Sequence, residues 1–484
     1  MPIFYVTIDI EKALGLEKIL PNFHIICLED NEKVQALLDE NIKVFCLERY
    51  ISSFMPYPKT TNQVLAHPLI IDYIKKHSQN PNIMVFKTNE GIEEIANQNE
   101  FKLIEVPAYL NKMFEDKITQ FEILTSHPEI PLPDIFTVQR LSSTSWDEIV
   151  QKCGNNVVVQ FSKGNSGKTT YFIKKEQEFL NLQNLYPLRM AKIARKINGT
   201  PYTINGCITK FGVVSGGLSE QVTGIDTLTS SEGGTCGNDW MQKDLSQSQR
   251  ESIIELTNSV GRIMQDKSYK GLFGIDVLVK DESIYLIEIN ARQIASIPMH
   301  TKMQLRDKEM PLELAHILEI LDKWDDYVDL QLPSEISQSI EKFKISDLSK
   351  TNLEYNQPKP YSQITLRNTS QSAVTVKGQF TSGIYKYGGD NTGRISEDNQ
   401  NVLKVVNIDE YGDKSLCLLK KAYDISALEE MEGFVITTAN RGKTVNSLNE
   451  YARMQFPFSI FSDQGKLKSW IIESINTVRR HTLK

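Results

Sequence analysis

The first 50 residues alternate short apolar runs with helical patterns, and this alternation limits the folds open to the chain. Strands are predicted at Phe4–Ile8, Phe23–Leu28 and Ile42–Leu47, with helices between them at Glu11–Leu20 and Asn31–Leu38. A β-α-β-α-β order predicts a parallel sheet covered by helices. No GxGxxG sequence follows the first strand, which argues against a dinucleotide-binding site here.

Two changes in the pattern of apolar and polar residues divide the 484 residues into predicted domains. The sequence IPLPD at 130–134 interrupts a helical pattern, and strands arranged as hairpins follow it. Residues 331–360 are polar and contain several prolines, so a linker is predicted there. We therefore expect a multidomain protein of α/β and α+β class. Its predicted parts are an α/β domain at 1–118, a second domain at 119–330 and an α+β domain at 361–484.

The composition narrows the class of partner and the compartment. Lysine and arginine number 54 against 61 aspartate and glutamate, so the net charge is −7, which argues against nucleic acid or a membrane surface as a partner. The six cysteines are far apart with no CxxC pair, as expected for reduced thiols. No run approaches the roughly 20 apolar residues of a membrane span, and the N-terminus lacks a basic signal-peptide region. A cytoplasmic location is predicted.

The most informative local sequence is VVVQFSKGNSGKTTYFI at 157–173, in which a loop lies between two strand-forming runs. Glycine lets backbone N–H groups approach phosphate oxygens closely, and Lys163 and Lys168 add positive charge. The pattern is compatible with a flexible loop that folds over a triphosphate, or with an ordinary hairpin turn. The loop residues are Gly164, Asn165, Ser166 and Gly167.

The same loop ends like a Walker A sequence, GxxxxGK[ST], but two features argue against that interpretation. The position that requires the first glycine is occupied by Ser162. A Walker A loop continues into a helix, whereas residues 169–173 are β-branched or aromatic and favour a strand.

Two acids and an amide are predicted to meet on a β-hairpin. Asp276 lies in GLFGIDVLV, Glu288 and Asn290 lie in YLIEINAR, and the KDES sequence at 280–283 suits a tight turn between them. Residues two apart in a strand share a face, and Asp276 and Glu288 are similarly distant from the turn. Such an oxygen-only set suits Mg²⁺. The alternative is that both acids simply face solvent.

Taken together, the sequence resembles the ATP-grasp superfamily over about residues 1–330, because the motifs occur in that family's order. Lys117, at the end of NKMFEDK, is similar to the family's first ATP-binding lysine, and the glycine-rich loop follows it. The later similar segments and residues are ARKINGTPYTING at 194–206, GGTCGNDW at 233–240, Asp276, Glu288, Asn290 and Arg292.

The resemblance implies an ATP-grasp architecture with a leading Rossmann-like domain, a lid at about 135–205 and an α+β C-terminal domain. It implies ATP with Mg²⁺ or Mn²⁺ as cofactors, Asp276, Glu288 and Asn290 as metal ligands, and Arg292 as a catalytic residue. The implied nucleotide-binding residues are Lys117, Gln160, Lys163, Gly164, Asn165, Ser166, Gly167, Ala194, Arg195, Lys196 and Ile197.

The sequence departs from the family pattern at three positions. Gln160 occupies the place of the second ATP lysine and brings no charge, so Lys163 or Lys168 is expected to compensate. No acid occurs near Ala194, so adenine would rely on backbone atoms there. Gly274 occupies the position where some ligases have arginine. With Gln160 at this position, the sequence resembles the amino-acid and peptide ligase branches that have an appended C-terminal domain, of the pheganomycin-type peptide ligase kind.

The reaction that the resemblance implies is a two-step ligation. The γ-phosphoryl group of ATP passes to a carboxylate, and an amine, most simply that of an amino acid, then attacks the acyl phosphate. The expected partners are small-molecule carboxylates and amines, with a homodimer as an open option. Two alternatives remain: a regulatory protein that binds nucleotide without turnover, and a biotin-carboxylase-like carboxylase, although the chain has no MKM biotin-acceptor sequence.

Overall fold

The structure is a computed structural model that describes residues 1–51, 57–162, 170–378, 380–387, 404–406, 416–428 and 433–483. Contacts between residues divide the chain into two compact units that interleave along the sequence. The first unit comprises Met1–Ile26, Tyr57–Leu218 and Leu245–Gln357. The second comprises Cys27–Pro56, Ser219–Asp244 and Pro358–Lys484. The boundaries predicted from the sequence follow the chain consecutively and remain predictions.

The strands that begin in the first unit are Ile3–Thr7, Phe23–Cys27, Asn82–Val85, Lys102–Leu103, Ile135–Arg140, Val157–Phe161, Thr170–Ile173, Met190–Arg195, Thr200–Thr209, Gly212–Thr223, Gly271–Lys280 and Ser283–Asn290. The strands of the second unit are Lys43–Cys46, Thr235–Asp239, Ser362–Arg367, Val374–Thr375, Gly383–Tyr387, Lys404–Val406, Leu416–Lys420, Phe434–Thr438, Thr444–Val445 and Glu450–Phe456.

The α-helices of the first unit are Thr61–Leu65, Pro68–His77, Glu90–Gln98, Ala108–Glu115, Lys117–Leu124, Trp146–Cys153, Glu176–Leu185, Gln247–Asp266, Ile297–Arg306, Leu312–Leu321, Ser334–Lys344 and Leu348–Tyr355. The second unit has α-helices at Glu32–Asp39 and Ser469–Leu483. Short 3₁₀ helices occur at Ile10–Ala13, Leu47–Arg49, Leu141–Ser143, Tyr327–Leu330 and Ile425–Leu428.

The N-terminal sheet of the first unit is parallel, as the alternating pattern predicts. Ile3–Thr7 pairs in parallel with Asn82–Val85, which pairs in parallel with Lys102–Leu103. The helix predicted at Glu11–Leu20 is shorter, because only Ile10–Ala13 forms a 3₁₀ turn. Gly15 follows with φ of +129°, a backbone angle that residues with a Cβ rarely adopt, and the helix cannot continue through it.

Residues 135–195 form an antiparallel sheet that we call the lid sheet. Its strands lie in the order Ile135–Arg140, Met190–Arg195, Val157–Phe161 and Thr170–Ile173. Its buried core includes Ile149 and Phe179 from the helices. The next strand, Thr200–Thr209, pairs with Gly271–Lys280, so the strands of the lid sheet end at residue 195, whereas the predicted lid boundary at about 205 remains a prediction.

A second antiparallel sheet carries the acidic hairpin. Gly271–Lys280 lies between Ser283–Asn290 and Thr200–Thr209, and the hairpin closes through the pair Lys280 and Ser283. The turn residue Asp281 has φ of +51°, as tight two-residue turns require. The helix Gln247–Asp266 packs on this sheet and begins with the predicted capping box, in which Ser246 and Gln249 bond to each other's backbone.

The second unit contains the α+β C-terminal part that the sequence predicts. Its strands lie in the order Thr235–Asp239, Ser362–Arg367, Glu450–Phe456, Phe434–Thr438, Gly383–Tyr387, Leu416–Lys420 and Lys404–Val406. The helix Ser469–Leu483 buries Ile471, Ile475 and Val478 in the same core as these strands. This spacing of four and three residues is that of an amphipathic helix.

Residues 331–360, predicted as a linker, contain two α-helices instead of an extended segment. In the helix Ser334–Lys344, the buried residues Ile336, Ile340 and Phe343 are spaced by four and three, the period of a helix face. Phe343 stacks on Trp324 with ring centroids 5.5 Å apart. The prediction weighed the prolines and polar residues, but this apolar stripe determines the local structure.

His316 is a buried neutral histidine that joins two parts of the first unit. Its Nδ1 accepts a hydrogen bond from the Leu272 backbone N at 3.1 Å, and its Nε2 lies 3.0 Å from the Ile104 carbonyl oxygen, to which it donates. Burial lowers the His316 pKa to about 4. Protonation would therefore remove an acceptor inside the core.

Because the His316 pKa is lowered in the folded protein, we expect the protein to lose stability in acid. Between about pH 6.5 and pH 4 the unfolded chain binds a proton that the folded protein does not, so the free energy of unfolding falls as the pH falls. From about pH 7 to about pH 5 the expected loss is about 2 kcal/mol. Urea denaturation at both pH values measures this loss in the free energy of unfolding. In His316→Gln, which keeps a hydrogen-bond donor and an acceptor, the loss should be smaller than in the wild type by about 2 kcal/mol. Equal losses in the two proteins would contradict the assignment.

Two further expectations are checked by the structure. The five cysteines that it describes with their side chains are free and buried, and the side chain of Cys417 lies outside the described residues. In the described part of the chain, none of the helices is both long and apolar enough to cross a membrane.

Candidate nucleotide and metal site

The structure brings together the three oxygen-bearing side chains of the hairpin. Asp276 is directly paired with Glu288, and Asn290 Nδ2 donates to Asp276 Oδ2 at 3.3 Å. The ladder shifts register just beyond this pair, between Asp276 and Val277. The side chains therefore converge as the period-two spacing predicts, although their role as metal ligands remains a prediction.

Two acids this close together are unfavourable when both are ionised, even with the Lys117 ammonium beside Glu288. Burial and the neighbouring charge of Glu288 together raise the Asp276 pKa to about 6. A divalent cation between the two carboxylates would reverse that preference, since an opposite charge favours the ionised form. The donor set fits Mg²⁺, which takes few protein oxygens and completes its shell from phosphates and water. Among described residues, no cluster of three or more His, Cys, Asp or Glu forms a separate metal site.

Lys117 completes this set from the helix Lys117–Leu124. The Asp116 side chain caps the helix by accepting from the backbone N–H groups of Ile118 and Thr119. The Lys117 side chain is 5% exposed, and its Nζ lies 2.5 Å from Glu288 Oε2. Its backbone N donates to the Ser162 carbonyl at 3.2 Å, at the point where the glycine-rich loop begins. The predicted first ATP lysine thus contacts both Glu288 and Ser162, the last described residue before that loop.

Lys192 is a buried lysine next to the predicted site residue Gln160, and the sequence analysis did not identify it. It lies in the lid strand Met190–Arg195, opposite Gln160 in the adjacent strand, and it is 9% exposed. Burial, assisted by the charge of Lys117 and opposed by Glu288, lowers the Lys192 pKa to about 8. Within the described ranges, no hydrogen bond or ion pair reaches the Lys192 ammonium group.

The one signal in the sequence that could have identified Lys192 is a lysine between apolar residues in a strand. Its neighbours Ala191 and Ile193 are buried in the lid core. A charged residue in such a strand is rarely buried without a purpose. Which side chains it faces depends on pairing with distant strands, which the sequence does not show.

Gln160 adjoins this lysine, and the glycine-rich loop begins after Ser162, two residues later in the sequence. Gln160 is buried, and its Nε2 lies 3.4 Å from Thr170 Oγ1 across the lid hairpin. The predicted loop residues lie outside the described residues, so their contribution remains a prediction. They are Lys163, Gly164, Asn165, Ser166 and Gly167, together with Lys168.

The predicted adenine-binding segment follows the lid strand. Ala194 is buried, whereas Arg195 is exposed and pairs with Asp134 at 3.0 Å. The Lys196 Nζ lies 4.6 Å from the centre of the Phe172 ring, and Ile197 is half-buried. The Lys196 side chain thus contacts the lid strand Thr170–Ile173, and the Arg195 side chain contacts the residue just before the lid sheet. Binding of adenine to the backbone of this segment remains a prediction.

Packing accounts for the glycine at position 274. This residue is paired with Asn290, and a Cβ on Gly274 would lie 2.8 Å from Ile294 Cδ1. It would also lie 3.3 Å from the Ile204 carbonyl oxygen, which cannot move aside easily. An arginine at this position therefore does not fit the present packing.

Arg292 is fixed beside the metal candidates by three contacts. Its Nη2 donates to Asn290 Oδ1 at 3.1 Å, and its Nη1 donates to the Gln293 carbonyl at 3.1 Å. Its Nε lies 2.7 Å from Glu115 Oε1. A guanidinium has five N–H groups, so two of them are not used by these contacts.

Comparison with known proteins supports the same assignment of the fold. Residues 114–296 match the family model of the ATP-grasp domain. A comparison with curated proteins finds no match.

Three solved structures share the overall chain topology at low sequence identity. The biotin carboxylase domain of 2-oxoglutarate carboxylase from Hydrogenobacter thermophilus, a complex with MgADP and bicarbonate, is 11% identical with a TM-score of 0.55, covering 94% of this chain and 85% of that one. Biotin carboxylase from Campylobacter jejuni is 12% identical with a TM-score of 0.52, covering 94% and 86%. N5-carboxyaminoimidazole synthase from Aspergillus clavatus is 10% identical with a TM-score of 0.50, covering 98% and 96%. At these identities the likeness concerns the fold alone, and it confirms the predicted ATP-grasp architecture.

Proposed function

We propose that this chain, which has the ATP-grasp fold, is an ATP- and Mg²⁺-dependent ligase that joins a carboxylate to an amine. The proposed substrates are amino acids or peptides, and the products include ADP and phosphate. The observation that carries the proposal is the convergence of Asp276, Glu288 and Asn290 with Lys117 and Lys192. Two acids and two lysines around one point suit a metal-bound polyphosphate better than a purely structural ion pair.

The lysines in this arrangement would hold the phosphates in place. Lys117 contacts Glu288 and lies at the start of the glycine-rich loop, so its ammonium can contact both a metal ligand and a phosphate oxygen. Lys192 has no described counterion, so an incoming phosphate would provide one. When bound to Asp276, Glu288 and Asn290, Mg²⁺ would neutralise charge on the β- and γ-phosphates.

Arg292 is the residue proposed to hold the acid substrate or the developing oxyanion. Its contacts with Asn290 and Glu115 fix the guanidinium next to the metal candidates. A fixed guanidinium fork matches the geometry of a carboxylate, and positioning reduces the entropic part of the barrier. The acyl phosphate formed there would then be attacked by the amine. This mechanism requires no covalent intermediate on the protein.

A product screen tests the proposal. Purified protein with ATP, Mg²⁺ and a panel of amino acids is expected to release ADP and to form a product lighter than its two reactants by one water, as detected by mass spectrometry. Release of AMP and pyrophosphate would contradict the acyl-phosphate mechanism. Incorporation of labelled bicarbonate without any amine would indicate the carboxylase alternative.

The alternative of a regulatory protein without turnover is weakened by Lys192. That alternative depends on the missing positive charge at position 160. Lys192 is the direct partner of Gln160 across the lid sheet, so a buried charge is present one strand away. Gln160 by itself is therefore no longer an argument for an inactive site.

A further inference from the structure

The N-terminal sheet has a point at which its strand order reverses. From Ile3–Thr7 the chain goes to Phe23–Cys27 on one side, whereas Asn82–Val85 and then Lys102–Leu103 lie on the other side. Val6 is directly paired with Val85 in parallel, so both strands end at the same edge of the sheet. In open α/β sheets, ligands bind in the crevice that such a reversal creates at the carboxyl ends of the strands.

Three cations and an aromatic ring lie at this edge of the sheet. Lys12 follows the first strand, and its Nζ lies 4.4 Å from the centre of the Phe86 ring. Phe86 follows the second strand directly, and the Arg292 guanidinium carbon lies 5.0 Å from the same ring centre. The next residue, Lys87, forms an ion pair with Glu115. We call Lys12, Phe86, Lys87, Glu115 and Arg292 the switch-point cluster.

The switch-point cluster has an excess of positive charge. Lys87 and Arg292 share the single carboxylate of Glu115, and Lys12 has no ion pair within the described residues. The side chains of Arg292 and Glu115 are only 15% and 11% exposed, so water screens them incompletely. Three cations around one acid repel one another, and a bound anion would relieve this repulsion.

Further acids lie near this edge but do not cancel the excess of three cations. The Asp9 carboxylate caps the turn after the first strand by accepting a hydrogen bond from the Glu11 backbone N at 3.0 Å. Glu105 accepts a hydrogen bond from the Val85 backbone N at 3.0 Å. Burial raises the Glu105 pKa to about 8, so this carboxyl is largely protonated at neutral pH.

The cluster also adjoins the proposed site of phosphoryl transfer. Arg292 belongs to both, since its Nη2 contacts Asn290 at 3.1 Å. A molecule held by Lys12 and Lys87 could therefore present a second group beside Arg292 and the metal candidates.

We propose that the switch-point cluster binds an anionic group of the acid substrate, so that this substrate carries at least two anionic groups. One is the carboxylate that receives the phosphoryl group, and the other is a carboxylate or a phosphate bound by Lys12 and Lys87. This inference rests on the proposed function, because it assigns the substrate class of the same site. It predicts a preference for dianionic acids over simple monocarboxylates.

Calorimetry with defined probes tests the inference. The full chain is first saturated with Mg²⁺ and the non-hydrolysable nucleotide AMP-PNP, which fills the triphosphate position. It is then titrated with succinate, phosphoglycolate or acetate. Succinate or phosphoglycolate should bind at least about tenfold more tightly than acetate, which has a single anionic group. The tighter of the two identifies the second group as a carboxylate or a phosphate. Equal binding of all three, or no binding of either dianion, would overturn the inference.

Variants of the two lysines give the residue-level test. Lys12→Met and Lys87→Met should each weaken binding of the tighter dianion about tenfold, while Lys12→Arg should keep it within about twofold. Lys112→Met is the matched control, because Lys112 is exposed and pairs with Glu90 outside the cluster. Unchanged dianion affinity in both lysine variants would overturn the inference.

The two proposals fail in different ways in this experiment. AMP-PNP binding is measured first in every protein, which also shows that each variant is folded. If the wild-type protein does not bind AMP-PNP, this result counts against the proposed function. The dianion titration is then repeated without nucleotide to test the switch-point inference by itself. Normal AMP-PNP binding without a dianion preference would overturn the switch-point inference alone.

Discussion

Glu288→Gln is expected to lower Mg²⁺-dependent release of ADP by about 10²–10³-fold. Glutamine keeps the size of the side chain but removes one of the two charges that would hold the metal. It also removes the counterion of Lys117, whose Nζ lies 2.5 Å from Glu288 Oε2. The measurement is ADP release as a function of Mg²⁺ concentration, and the variant should need more Mg²⁺ to reach its lower maximum.

The hairpin itself offers a matched control for this substitution. Glu282 lies exposed in the turn of the same hairpin, so Glu282→Gln makes the same chemical change away from the site. It should leave ADP release unchanged. Asp276→Asn provides a second variant at the site and should show the same loss as Glu288→Gln. Full turnover by both site variants, each with a normal unfolding transition, would exclude the assigned metal ligands.

Lys192→Met is expected to weaken binding of ADP by about 10–100-fold, the effect of losing one buried charge-assisted contact. Methionine retains the unbranched shape and apolar stem, so the lid core should remain packed. Isothermal titration in the presence of Mg²⁺ measures the affinity. Lys175→Met, at an exposed position before a lid helix, removes the same charge and should have no effect.

Introducing a lysine at position 160 of the Lys192→Met variant tests whether Lys192 acts through its charge or only through packing. Gln160 and Lys192 are direct partners in adjacent strands, which lie about 4.8 Å apart. The double variant Lys192→Met with Gln160→Lys should therefore bind ADP at least about fivefold more tightly than Lys192→Met alone. If the single variant binds ADP normally, or if the double variant recovers nothing, Lys192 does not provide the charge missing at position 160.

The pH dependence of ADP affinity gives an independent measure of the same lysine. The Lys192 pKa is about 8 in the nucleotide-free protein, mainly because of burial. Only the protonated form attracts phosphate, so wild-type affinity should stay nearly constant between about pH 7 and about pH 8 and fall above about pH 8, by up to about tenfold per pH unit. Below about pH 7, protonation of Asp276, whose pKa is about 6, is expected to weaken Mg²⁺ binding separately. Lys192→Met should lack the fall above about pH 8.

Much of the acidic hairpin could be predicted because its determinants are local. The period of two along a strand places Glu288 and Asn290 on one face, and the short turn at 280–283 fixes the register with Asp276. The order of the motifs also indicated the ATP-grasp fold, which the domain match at 114–296 supports. The two helices inside the predicted linker at 331–360 were not predicted, because its prolines and polar residues obscured an apolar stripe.

The sequence alone determined the strand and helix pattern, the glycine-rich loop as a candidate for phosphate binding, and the composition of the acidic set. Each of these depends on residues close together in the chain. Only the tertiary structure placed Lys192 beside Lys117, and Lys12 and Arg292 on the same ring of Phe86. Those contacts join residues that are distant in sequence, and they depend on strand order and long-range packing. Local periodicity does not contain that information.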